Sequence, residues 1–218
     1  MRRGTWTSLA GWVALAAAGC NQPAGDGFAV LPVHELDWSV PRRPVRPGDG
    51  PVRTTGPLAP PTAPRAWRYI VIHHSATGWG SAAQFDRDHR KRGWDELGYH
   101  FVIDNGNGGP DGRVEIGSRW ESQKWGAHCG GTPGNEYNNF GIGICLVGDF
   151  EKTRPSPAQL DSLHRLVLHL AAQYGIAPAN AIGHRDAPNA STKCPGRYLA
   201  AHLNQILRPA LARQLAAK

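Results

Sequence analysis

Residues 69–72 form a short, nearly all-apolar run that is rich in β-branched side chains and ends directly in two histidines, His73 and His74. Such a run is typical of a central strand that is buried on both faces. A strand of this kind needs cover from both sides, and helices are the usual cover in an α/β protein. The chain is therefore predicted to build its core around this strand and to place the histidines at the strand's carboxyl end.

Strand and helix patterns alternate along the rest of the chain. The clearest helix covers residues 157–174, because Ser156 and Gln159 form a capping box, Pro157 takes the first helical position and Gly175 follows the last turn. The other predicted strands are residues 99–104, 114–117, 141–148 and 181–183, and the other predicted helices are residues 81–92 and 198–207. This order predicts an α/β sheet that is covered on both faces.

The N-terminus has the pattern of an export signal rather than of a folded element. Arg2 and Arg3 precede a short apolar run, residues 9–18, which is too short to span a bilayer comfortably. Small residues then precede Cys20, an arrangement that resembles the lipobox of bacterial lipoproteins, in which this cysteine carries the lipid. We therefore predict a lipoprotein signal peptide at residues 1–19 and lipidation of Cys20. Ordinary secretory cleavage beside an incidental cysteine is the alternative.

Residues 20–66 are rich in proline and poor in apolar side chains. Such a segment buries too little surface to offset the entropy of ordering, so it is predicted to be a disordered, lipid-anchored linker. A short patch at residues 28–33, together with Trp38, can instead dock on the domain that follows. The globular domain is predicted to span residues 67–218, which is long enough to bury a proper core.

Charge argues against one class of partner. The formal net charge is +7, but the excess is spread along the chain and the longest basic block is residues 90–92. A nucleic-acid-binding stripe is therefore not supported.

We expect the domain to be a monomer.

His184 and Cys194 lie ten residues apart in a polar loop after the last predicted strand. Two histidines and a thiolate can bind Zn²⁺ and leave a fourth position for water, as catalytic zinc sites do. A thiol in an exported protein also needs protection from oxidation, and a metal provides it. Spacing alone leaves the matter open, because a histidine at a strand end is often a satisfied rim residue and zinc loops usually have tighter spacing.

Short motifs along the chain occur in the order found in one enzyme family. They are residues 72–75 (Ile-His-His-Ser), 93–94 (Gly-Trp), 98–101 (Gly-Tyr-His-Phe), 126–128 (Gly-Ala-His), 137–138 (Tyr-Asn), 141–148 (Gly-Ile-Gly-Ile-Cys-Leu-Val-Gly), 183–185 (Gly-His-Arg) and 194–196 (Cys-Pro-Gly). Across residues 67–198 the chain resembles the type-2 N-acetylmuramoyl-L-alanine amidases, which include the animal peptidoglycan recognition proteins and the amidase-type phage lysozymes. The resemblance implies the single-domain architecture of that family, with a mixed central β-sheet flanked by helices on both faces.

The resemblance also implies a catalytic site. By position, His73, His184 and Cys194 are the ligands of one Zn²⁺, and Tyr99 is the tyrosine that the family places beside the metal. Zinc activates water and polarises a scissile carbonyl, and a phenol can stabilise the developing oxyanion. The implied substrate is peptidoglycan or a muropeptide, cut at the amide bond between the lactyl group of N-acetylmuramic acid and L-Ala of the stem peptide.

The ligand loop departs from the family pattern in two ways. The gap between His184 and Cys194 is longer than in the animal members, and Thr192 stands where the phage enzymes have a catalytic lysine. Animal amidases of the family carry threonine at that position. Thr192 is therefore predicted to line the site, with the adjacent Lys193 as the second candidate.

Two further residues have family counterparts near the groove, and two cysteines have a redox state to predict. His128 and Asn138 match positions near the family's groove and are predicted to bind substrate. Cys145 lies in an apolar strand and is expected to be a buried thiol, with a disulfide to Cys129 as the alternative. The rival function is a peptidoglycan-binding module without catalysis, but relatives that lost catalysis typically lost the cysteine ligand, which is present here as Cys194.

The residue after the predicted lipidated cysteine bears on location. Asn21 is not the aspartate that retains enterobacterial lipoproteins in the inner membrane. The predicted location is therefore the cell envelope, lipid-anchored at the periplasmic face of the outer membrane.

Overall fold

The computed structural model describes the backbone of Ala29–Leu31 and the chain from residue 58 to residue 217. The predicted signal peptide, Cys20 and most of the predicted linker lie outside the described residues. Six strands form one sheet in the order β1-β4-β3-β5-β2-β6. They are β1 (Ala29–Leu31), β2 (Tyr69–His74), β3 (Phe101–Ile103), β4 (Val114–Ile116), β5 (Gly141–Leu146) and β6 (Ala181–Gly183). The sheet is mixed, because β2 pairs in parallel with β5 and β6, and β3 with β5, whereas β4 is antiparallel to β1 and β3.

Within the described residues, six α-helices accompany the sheet. They are α1 (Ala82–Lys91), α2 (Ser118–Glu121), α3 (Glu136–Asn139), α4 (Pro157–Tyr174), α5 (Arg197–His202) and α6 (Arg208–Ala216). The predicted capping box at the start of α4 is present, since Ser156 Oγ accepts from the Gln159 backbone and the Gln159 side chain accepts from the Ser156 backbone. Gly175 ends this helix in the left-handed conformation that glycine favours.

Alternation along β2 assigns the two faces of the sheet. Ile70 and Ile72 point into the main core, which they share with apolar residues of α4 such as Leu163. Val71 and His73 therefore point to the opposite face, where α1 packs through Phe85. Helices cover both faces, as predicted. The side chain of His73 lies on the face that α1 covers.

The ordered fold begins earlier than the predicted boundary at residue 67. Leu58 is 2% exposed within the main core, and its carbonyl accepts a hydrogen bond from Nε1 of Trp120 at 3.0 Å. Further upstream, β1 pairs with β4 and covers an edge that would otherwise present unpaired backbone groups. Part of the patch at residues 28–33 therefore docks on the domain. Among the described residues, no helix has both the length and the hydropathy needed to cross a membrane.

Candidate metal centre

The three predicted ligands converge at the carboxyl ends of β2 and β6. These strands are parallel neighbours with Ile72 beside Gly183, so His73 and His184 leave the sheet at the same edge. The centroids of the two imidazole rings are 4.7 Å apart. Sγ of Cys194 lies 3.5 Å from Nδ1 of His73. One ligand atom from each of the three residues lies within 4.8 Å of the other two.

Backbone hydrogen bonds fold the ligand loop back onto the strands. The backbone N–H of Arg185 donates to the carbonyl of Cys194 at 2.8 Å, which closes the gap between the second and third ligands. The backbone N–H of His74 donates to Sγ of Cys194 at 3.4 Å. The sulfur is thus held against the end of β2 although it lies 120 residues away in sequence.

The donor set fits a divalent metal such as Zn²⁺. Burial lowers the pKa of His184, and it lowers the pKa of His73 well below the usual range, helped by the nearby His128 and His184. Both imidazoles are therefore neutral and able to act as ligands. Burial raises the pKa of the Cys194 thiol to about 12, and a metal would displace that proton. Two imidazoles and one sulfur within reach of one ion match the composition of a catalytic zinc site.

Tyr99 lies directly beside this triad. The centroid of its ring is 5.2 Å from that of His73. Burial raises the pKa of Tyr99 well above its usual value, and the thiols of Cys145 and Cys194 add to this effect. The phenol therefore keeps its proton at neutral pH and remains a hydrogen-bond donor.

Thr192 and Lys193 lie on the exposed part of the ligand loop. Oγ1 of Thr192 accepts a hydrogen bond from the backbone N–H of Cys194 at 3.1 Å, so it helps to shape the loop around the sulfur. The carbonyl of Lys193 accepts from the Arg185 guanidinium at 2.5 Å. Both side chains are next to a ligand and open to solvent, which is where a substrate-facing residue has to be.

His128 and Asn138 lie behind the triad rather than on an open surface. Their side chains are only 7% and 6% exposed. Nδ1 of His128 is 3.1 Å from Nε2 of His73, and Oδ1 of Asn138 accepts from the backbone of His128 at 2.8 Å. Both side chains have internal hydrogen-bond partners, and the binding of substrate by these two residues stays a prediction.

His89 contacts Tyr99, with 5.6 Å between the ring centroids, a placement that sequence reasoning did not identify. Its Nδ1 accepts a hydrogen bond from the backbone N–H of Gly98 at 2.9 Å, next to Tyr99. Trp94 packs against the same ring with 4.5 Å between centroids. A histidine within a helix carries no local signal for such a contact. Cys129 and Cys145 are free thiols, so the alternative of a disulfide between them is not realised.

A family model described as N-acetylmuramoyl-L-alanine amidase matches residues 63–197. The chain belongs to the N-acetylmuramoyl-L-alanine amidase family. The match includes all three ligands and Tyr99, and it begins close to the predicted domain start.

Individual amidase relatives support this assignment. The endolysin of Escherichia phage T7 is 37% identical over 134 residues, which cover 58% of this chain and 78% of the endolysin. The N-acetylmuramoyl-L-alanine amidase of Sus scrofa is 30% identical over 146 residues, which cover 60% of this chain but only 22% of that longer protein. A solved structure of a Drosophila PGRP-LB mutant in complex with tracheal cytotoxin has a TM-score of 0.50 at 27% identity, covering 78% of this chain and 90% of that one. Family and triad together identify the domain as an amidase, and both the predicted fold and the predicted enzyme class are confirmed.

Proposed function

We propose that the domain uses one bound Zn²⁺ to hydrolyse the amide bond between the lactyl group of N-acetylmuramic acid and L-Ala of the peptidoglycan stem peptide. The observation that carries this proposal is the convergence of His73, His184 and Cys194 within 4.8 Å in a chain of the amidase family. A muropeptide-like substrate is supported by the relative whose structure contains tracheal cytotoxin.

The protein's own residues account for most of the proposed chemistry. His73, His184 and Cys194 would hold the metal, which supplies Lewis acidity towards the scissile carbonyl and lowers the pKa of water. Tyr99 keeps its proton and donates a hydrogen bond to the oxyanion that develops on that carbonyl. Thr192 and Lys193 stand at the open rim, where a hydroxyl or an ammonium group can contact the substrate near the reacting bond.

Digestion of purified sacculi tests the proposal directly. We expect mass spectrometry to find stem peptides with a free N-terminal L-Ala, together with glycan strands that have lost their peptides. A chelator should abolish this release and Zn²⁺ should restore it, whereas Mg²⁺ should not, because Mg²⁺ prefers oxygen ligands. Stable binding to sacculi without release of peptides would instead favour the non-catalytic module.

We also propose that the mature chain is a lipoprotein, anchored through Cys20 in the cell envelope at the periplasmic face of the outer membrane. The pattern of residues 1–21 supports this. In a bacterial host we expect the wild-type protein to incorporate labelled palmitate and to sediment with membranes. Cys20→Ser should lose the label and move to the soluble fraction. An unlabelled wild-type protein would contradict the anchor and leave the proposed amidase activity untouched.

A further inference from the structure

We infer that His128 is a positioning residue that makes Nδ1 the metal-binding atom of His73. The inference rests on the proposed binding of a metal by the triad. Nδ1 of His128 lies 3.1 Å from Nε2 of His73, on the side of the His73 ring opposite the Nδ1 atom that faces Sγ of Cys194. The His128 ring thus contacts the one nitrogen of His73 that does not face the proposed metal.

The His128 ring is held in a slot that two glycines create. A Cβ atom added to Gly126 or to Gly143 would lie 2.3 Å from Cδ2 of His128, closer than any side chain tolerates. One of these glycines precedes the ring in its own loop, and the other lies in β5. The backbone of the loop is fixed too, because Oδ1 of Asn138 accepts from the N–H groups of both His128 and Cys129 at 2.8 Å. The orientation of the ring is therefore set by its surroundings.

Hydrogen-bond partners then decide where the protons are. Nε2 of His128 lies 3.2 Å from the carbonyl oxygen of Gly141, and a carbonyl can only accept, so this nitrogen carries the proton. In a neutral ring, Nδ1 of His128 is consequently an acceptor. It can be satisfied only by a proton on Nε2 of His73. Nδ1 of His73 is left with a free lone pair, and it is the atom that lies 3.5 Å from Sγ of Cys194.

The opposite arrangement leaves buried groups unsatisfied. If Nδ1 of His128 carried the proton, its Nε2 lone pair would face the lone pairs of the Gly141 carbonyl with no hydrogen between them. Both histidines are buried, at 1% and 7% exposure, so solvent does not relieve that repulsion. Metal-binding histidines usually donate their second N–H to a carboxylate, a carbonyl or water. Here the neutral imidazole of His128 is the acceptor. Because the Gly141 carbonyl fixes the proton of His128 on Nε2, it also fixes the proton of His73 on Nε2.

Zinc affinity and ring tautomers test this inference without reference to activity. In long-range ¹⁵N–¹H correlation spectra of the zinc-loaded wild-type protein, we expect His73 and His128 each to be protonated at Nε2, with Nδ1 of His73 bound to zinc. His128→Leu removes the acceptor and should raise the Kd for zinc by about 10- to 100-fold, as loss of such an outer partner typically does. His128→Asn keeps an oxygen near the position of Nδ1 and should recover part of that loss.

His169→Leu is the matched control. It removes another buried imidazole, from α4 on the opposite face of the sheet, and should leave the Kd for zinc unchanged. Zinc bound through Nε2 of His73, or a proton on Nδ1 of His128, would overturn the inference even if every variant failed to fold. An unchanged Kd in folded His128→Leu would overturn it as well. A wild-type protein that binds no zinc would refute the proposed function along with it.

Discussion

Replacing Cys194 with alanine is expected to abolish both zinc binding and amidase activity. The sulfur is the only anionic donor that the triad can supply, and two neutral imidazoles remain without it. Loss of a direct ligand should cost more than the roughly 100-fold that loss of an outer partner can cost. We expect the purified variant to contain no stoichiometric zinc and to release no stem peptides from sacculi.

Cys129→Ala provides the control for this variant. Cys129 is also a free thiol, but it is buried in a separate apolar cluster beside Val71 and Ile182 rather than in the triad. The Cys129→Ala variant should keep its zinc and its activity. Its free energy of unfolding should fall somewhat, since removal of a buried side-chain atom leaves a small cavity. Undiminished turnover by the Cys194 variant would show that the triad is not the catalytic site.

Tyr99→Phe is expected to lower kcat by about 10²- to 10³-fold, as removal of a single oxyanion donor does in other hydrolases. The phenylalanine ring keeps the packing against His73, so zinc affinity should not change. Because the hydroxyl is proposed to act mainly in the transition state, KM should change little. Steady-state kinetics on a soluble muropeptide, with zinc content measured in parallel, would separate these effects.

Tyr69→Phe is the matched control, because the Tyr69 hydroxyl lies 3.3 Å from Glu136 and takes no part in the triad. It should retain full kcat. Thr192→Ala and Lys193→Ala belong in the same series, and we expect Thr192→Ala to lower kcat more. Unchanged kcat in both would remove both residues from the catalytic assignment, and unchanged kcat in Tyr99→Phe would remove the oxyanion role.

Elements with strong local signals could be predicted from the sequence, and weakly signalled ones could not. Helix α4 begins and ends as predicted, because capping box, first-turn proline and terminal glycine act within a few residues of one another. Helices α2 and α3 have four residues each, too few for a periodic pattern to appear. The position of β1 and the burial of Leu58 depend on β4 and Trp120, which are distant in sequence.

The sequence by itself determined the family, the ligand types and the architecture, because motif order and β-branched runs are properties of the chain read locally. Only the tertiary structure decided how the histidines are placed relative to one another. Parallel pairing of β2 with β6 brings His73 and His184 together. Packing between two glycines and against a carbonyl places His128 in contact with His73, a predicted ligand. The role of an imidazole depends on which atoms surround its two nitrogens, and strand register and loop packing set those neighbours.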